Sequence, residues 1–200
     1  MVEDNLNIFK AIKLEKKYTK RFYIIMFSIA LILPLSLYLT GIVKMFYLVF
    51  LGVIEFLIFA AVINKINYTR LNYSCKKNRL KIKTGLIGKE SLVFCDKVVM
   101  VHTVKMEEVM EIILVTNVNF KNRNLKPAHK VFMKRYSSVL KEFKKIQKIY
   151  PDTIFYYQVI KRGGLKKYLL LDLIYKNCVK AVYTDDCIQN IKIARGQTLV

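Results

Sequence analysis

One acid stands inside a run of residues that otherwise belong in hydrocarbon. Glu55 is the sole charge between Met45 and Ile63 (MFYLVFLGVIEFLIFAAVI), and an ionised carboxylate there costs at least about 2.5 kcal/mol even on lenient scales. The chemistry open to it is hydrogen bonding in its neutral form, or proton exchange. The preceding apolar run holds a candidate partner. Pro34 cannot donate to the carbonyl of Ala30, which leaves that acceptor without its helical bond. Counted from Lys44, Ala30 and Glu55 differ in depth by roughly 4 to 5 Å at about 1.5 Å per residue, a gap that a glutamate side chain covers. The expectation is a neutral Glu55 that donates to the Ala30 carbonyl or to Ser36. Three roles follow: a pin between two helices, a docking point for a partner helix, or a relay that needs an oligomer to complete its pathway.

The second candidate is a basic surface. Between Lys121 and Lys148 there are ten bases and one acid, Glu142. From Lys134 to Tyr150, Tyr136, Val139, Leu140, Phe143, Ile146 and Tyr150 recur at helical spacing and Pro151 ends the run. The opposite face carries Lys141, Lys144, Lys145 and Lys148, with Lys134 completing the patch. It reads as a solvated helix face or as a site for anionic inner-leaflet lipid, which attracts each nearby basic side chain by about 1 kcal/mol. Nucleic acid is disfavoured, because the patch is Lys-rich and Arg-poor, has no stacking aromatic on its charged side and matches no reader motif.

Other reactive side chains form no constellation. Cys75, Cys95, Cys178 and Cys187 include no C-x-x-C pair, and His102 and His129 lack the i, i+4 partner of a metal site. Arg162-Gly163-Gly164 is a basic glycine turn without the spacing and lysine of a phosphate-binding loop. Asp185 and Asp186 are adjacent acids, of which Asp185 can cap a helix. No nucleophile has a base, so no enzymatic activity, metal or cofactor is expected.

The elements that must position these residues begin with a hairpin. Tyr23 to Val43 has no charge, Met45 to Ile63 has only Glu55, and Lys44 alone separates them. A bilayer span takes roughly 20 apolar residues, so residues 22–64 read as a transmembrane helical hairpin, with Gly52, Ala60 and Ala61 permitting close helix approach. Lys10, Lys13, Lys16, Lys17, Lys20 and Arg21 precede it, and Lys65, Arg70, Lys76, Lys77 and Arg79 follow. Basic flanks stay inside. The expected location is the cell membrane, multi-pass, with both termini cytoplasmic. Residues 1–21 form a basic tail, either a short helix along the inner face through Leu6, Phe9 and Leu14 or a solvated segment.

Beyond the hairpin, Ile66 to Ser74 alternates as a strand would, and Arg79–Thr84, Glu90–Phe94, Val98–Val104 and Met110–Thr116 read as an antiparallel meander. Lys105 to Glu108 separates the last two. Thr153–Ile160 reads as a strand, Leu165–Lys176 as a helix in preference to a strand, Val179–Thr184 as a strand, and residues from Asp185 as a closing helix ended by Gly196. The fold class is α+β: a two-helix transmembrane hairpin, a cytosolic antiparallel meander over 65–133, then a basic amphipathic helix and a small strand-helix-strand-helix unit over 134–200, forming one domain with the meander or a second one.

Two spans followed by R-L-K-I-K-T-G-L-I-G-K-E-S-L-V-F-C-D-K-V-V-M-V-H-T-V resemble the membrane-attached bacterial pleckstrin-homology-like domains. The residues that carry the likeness are Leu80, Ile82, Gly85, Ile87, Lys97, Val98 and Val101, within about 45 residues after the hairpin. The resemblance implies a binding or scaffolding module at the inner membrane surface and brings no catalytic residues. The chain departs from it afterwards, turning to helix where a family member continues with strands.

The formal charge of +21 from 35 bases and 14 acids lies mostly after the hairpin. The function expected is therefore a non-enzymatic scaffold or anchor whose basic domain binds the inner leaflet or a partner protein. The alternatives are a subunit of a transport, conjugation or secretion complex acting through Glu55, as a hetero-assembly or homo-oligomer, and a membrane-tethered nucleic-acid binder.

Overall fold

The computed structural model describes residues 7–41, 44–106, 109–120, 122, 124–136, 139–151 and 153–197. Expectations that rest on Leu6, Ile42, Val43, Glu107, Glu108, Lys121 and Arg123 lie outside them. The chain is α+β, and its described residues form two long apolar helices leading into two sheets and four further helices. Helix α1 (Ile8–Thr40) is capped by the Asn7 side chain, which accepts from Phe9 N at 3.3 Å, and ends on Gly41 at φ +64°. Helix α2 (Met45–Thr69) follows Lys44. Both are long and apolar enough to cross a membrane, and they pack side by side.

Two boundaries differ from the expected ones. Residues 8–21 are a continuation of α1, and Ile8, Ala11 and Ile12 are buried while Phe9 is exposed. Their i, i+3, i+4 spacing makes a stripe that packs on the body of the protein, a different face from the one through Phe9 and Leu14. At the other end, α2 runs on through Ile66–Thr69 where alternation predicted a strand. Extending a formed helix costs less than starting a new element, and Thr69 Oγ1 donates to Lys65 O at 3.0 Å.

The expected meander divides in two. Strands β1 (Leu71–Lys76), β2 (Arg79–Thr84) and β3 (Ser91–Phe94) form one antiparallel sheet. A 3-10 turn at Cys95–Lys97 then redirects the chain, held where Cys95 N donates to Asn78 O (3.0 Å) and Asn78 Nδ2 to Asp96 Oδ1 (2.9 Å). Strands β4 (Val98–Met106) and β5 (Val109–Thr116) belong to a second sheet of order β6-β7-β5-β4-β8, completed by β6 (Lys126–Pro127), β7 (Tyr156–Ile160) and β8 (Val182–Tyr183). The reason lies in their composition: residues 98, 100–103 and 110–116 are buried on both faces, the signature of central strands covered on two sides.

Each face has its own cover. On one, Met100, Ile113 and Val115 meet Phe132 of α3 (Lys130–Arg135), then Tyr136 and Val139, then Phe143 and Ile146 of α4 (Leu140–Ile149). On the other, Val101, Ile112 and Leu114 meet Leu170, Leu171 and Ile174 of α5 (Lys166–Asn177), Cys187 and Ile191 of α6 (Asp185–Ala194), and Leu80, Ile82 and Val93 of the first sheet. Both clusters draw residues from before and after 133. The helix expected over 134–150 is broken at Tyr136, whose backbone (φ −121°, ψ 62°) leaves α3 as its hydroxyl donates to Glu111 Oε2 at 3.4 Å.

The strand-helix-strand-helix unit spans the sheet. β7 pairs with β5 and β8 runs parallel to β4, so α5 crosses over the β5–β4 hairpin. β8 keeps two of the six residues expected. Thr184, not Asp185, occupies the N-cap of α6, and its Oγ1 is engaged with His102 Nδ1 at 2.8 Å instead of the helix amides. Gly196, at φ +70°, follows the C-cap as expected.

Candidate functional site

Glu55 and Ala30 line one groove of about 590 Å3 between α1 and α2, together with Tyr23, Phe27, Ile58 and Phe59. The expected bond to Ser36 is absent. Ser36 Oγ donates to Leu33 O at 2.8 Å within its own helix, which is how a helical serine commonly saturates itself. Pro34 is exposed on α1. Glu55 Oε1 is buried without a hydrogen-bond partner. Gly52 has nothing within 4 Å of where a Cβ would stand, so the close approach expected there is not made.

The basic residues are all solvent-facing. Lys141, Lys144, Lys145 and Lys148 project from α4, and Lys134 from α3 across the break. Lys145 pairs with Glu142 at 2.8 Å; the α4 face opposite them is core. The helix lies toward the start of β7, where Phe143 stacks edge-on to Phe155 at 5.5 Å between ring centres.

Sequence reasoning missed a polar junction at the other end of that strand. Lys167 is 2% exposed, and its Nζ donates to Met110 O and to Lys161 O. Lys161 pairs with Glu111 at 3.2 Å. Glu15 on α1 accepts from Leu165 N at 3.1 Å, its carboxylate set at the N-terminal end of α5. The glycine turn serves this contact. A Cβ on Gly164 (φ +52°) would stand 2.0 Å from Glu15 Oε1, and one on Gly163 (φ +123°) 2.6 Å from Leu71 Cδ2. Gly163 N also donates to Tyr68 O at 2.8 Å. Burial lowers the Lys167 pKa to about 8, opposed by the charges of Glu111 and Glu15. With its ammonium spent on two carbonyls, Lys167 ties β5, β7 and α5 together and is not placed as a base.

The cysteines are closer than their scatter in sequence implied. Cys75 and Cys95 sulfurs lie 3.7 Å apart and Cys95 also contacts Cys178. Burial pushes the Cys75 thiol up to about 11 and Cys187 to about 12, and the Cys178 contact and burial raise Cys95 further. These are protonated packing groups at neutral pH. Among the described residues no group of three or more His, Cys, Asp or Glu is arranged to hold a metal. Asp185 and Asp186 lie exposed in the first turn of α6.

Of the residues that carry the pleckstrin-homology likeness, Leu80, Ile82, Val98 and Val101 are core, Gly85 takes φ +73°, and Lys97 and Ile87 face solvent. No protein-family model, curated protein or solved structure matches the chain. The fold and site define a class at this level: an α+β chain with two membrane-length apolar helices.

Proposed function

We propose that the chain is a non-enzymatic, multi-pass cell-membrane protein, both termini cytoplasmic, whose basic body docks an acidic partner as a scaffold or anchor. The observation that carries it is the α4 face, where Lys141, Lys144 and Lys148 stand exposed and, among the described residues, without an acidic partner, while the reverse face is locked into the core. Its place in the body favours a partner protein over the leaflet. The far end of β7 lies about 17 Å from the Glu15–Lys167 junction at about 3.3 Å per residue, roughly two Debye lengths in physiological salt. The membrane-surface role implied by the pleckstrin-homology likeness falls to other residues.

A second reading has its own support. An unpaired, buried carboxyl oxygen at Glu55 is costly in hydrocarbon and is relieved by a polar group on a neighbouring helix, as in a subunit of a transport or secretion assembly.

The test is co-purification from native membranes in mild detergent, with the intact chain, with Glu55→Gln, and with Lys141, Lys144, Lys145 and Lys148 changed to Gln. Loss of a discrete partner with the lysine variant alone supports docking through α4. Loss with Glu55→Gln alone transfers the function to the hairpin. Retention by both, with hydrogen exchange on α4 slowed by anionic over neutral liposomes in the intact chain and not in the lysine variant, returns the basic face to the lipid.

A further inference from the structure

Between β2 and β3 the chain makes the turn Gly85-Leu86-Ile87-Gly88, and Ile87 at its tip is 90% exposed. The turn is built firmly. Gly85 N donates to Arg70 O at 2.8 Å, Leu86 N to the Asn67 side-chain oxygen at 2.8 Å, and a Cβ on Gly88 would stand 1.9 Å from Thr84 O. An isoleucine is thus presented to solvent on a fixed frame, where a polar residue would serve an ordinary turn.

Its position names what it meets. Asn67 lies four residues past Ile63, the end of the apolar run, about 6 Å along α2. The headgroup layer is about 5 to 8 Å deep on each side of the hydrocarbon, and one residue beyond Leu86 reaches up to about 3.5 Å. On that count Ile87 stands within reach of that layer. The charge around it fits as well: Arg162 Nη1 lies 3.0 Å from the Cβ position of Gly85, Lys83 and Lys89 flank the turn in sequence, and Arg70 is the residue whose carbonyl holds Gly85 N.

We infer that the Gly85–Gly88 turn is a third membrane contact, with Ile87 inserted into the inner leaflet beside α2 and the surrounding bases on anionic lipid headgroups. The inference rests on α1 and α2 crossing a bilayer. It gives the body a fixed attitude, with the turn and the α5 start toward the membrane and the α4 lysines away from it.

The chain contains no tryptophan, so a single introduced indole is an unambiguous probe. Full-length Ile87→Trp, Phe56→Trp and Val179→Trp would be reconstituted into phosphatidylglycerol-phosphatidylcholine vesicles, with and without acyl-chain bromination near the headgroup or deep in the chain. Phe56 lies within α2, and Val179, 82% exposed, lies beyond the far end of α5. The expected result is blue-shifted Ile87→Trp emission, quenched most by shallow bromines, with Phe56→Trp quenched by deep ones and Val179→Trp unaffected. Red, bromine-insensitive emission from Ile87→Trp with Phe56→Trp still quenched would overturn the inference alone. A blue shift indifferent to bromine would mean that protein covers the turn, which overturns it equally. An unquenched Phe56→Trp would overturn the spanning hairpin itself. Circular dichroism confirms that each variant folds.

Discussion

Lys167 shows how a single buried charge ties an element down. A lysine whose pKa falls to about 8 in the fold, from its ordinary 10.5, binds fewer protons folded than unfolded between those values. Stability therefore rises as pH climbs from about 8 to 10.5, and the full contribution lies above the unfolded value. At 1.36 kcal/mol per pK unit the span is about 3 kcal/mol. Lys167→Met removes the slope. The wild-type midpoint in detergent should rise relative to that of Lys167→Met as pH climbs toward 10, and parallel curves would show that Lys167 is not held as described. Gly164 offers a second test at this scale. Its φ of +52° and the Glu15 oxygen 2.0 Å from a Cβ position predict that Gly164→Ala costs at least about 1 to 2 kcal/mol, read as a lowered midpoint; an unchanged midpoint would mean that Glu15 is not seated there. Neither residue was picked out as functional from sequence. Yet the apolar stripe of α5, Leu170, Leu171 and Ile174, continues one turn back onto Lys167, and that continuation was a readable sign of burial. Glu15 gave no sign, because its partner is a backbone amide 150 positions away.

Among the elements, local periodicity reported existence and type better than partnership. The strands at 79–84 and 91–94, the helix at 166–177 and the helix from Asp185 lie near where spacing placed them. The division into two sheets was hidden, since alternation shows which side of a strand is apolar and not which strand lies beside it. A signal was present in β5, where Met110 to Thr116 is nearly continuous apolar and asks for cover on both faces. The break at Tyr136 was invisible for a different reason: the group that its hydroxyl meets, Glu111, is on another element. For α4 the two faces make separable predictions. Replacing Lys141, Lys144 and Lys148 with Gln should leave the midpoint nearly unchanged, since exposed substitutions typically stay within about 0.5 kcal/mol each, while abolishing partner capture. A large drop in stability would mean that these side chains pack on the body, and would remove the free basic face.

The whole molecule joins two parts of different composition, and the hairpin was the most legible because its two helices are long and apolar enough to cross a membrane, unlike the other described helices. Where the two parts meet was illegible. Helix α1 passes without a break from its apolar length into the stretch that carries Ile8, Ala11, Ile12 and Glu15, and α2 hands over to β1 through a single residue, Arg70. At about 1.5 Å per residue α1 is a rod of about 50 Å. In the proposed topology this leaves no flexible neck between the membrane and the body, so the two share one angle. A thicker bilayer brings a helix upright and a thinner one tilts it; here the same adjustment must swing the α4 face through the cytoplasm. In that topology the protein would act as a gnomon, its far face turning with the thickness of the sheet in which it stands.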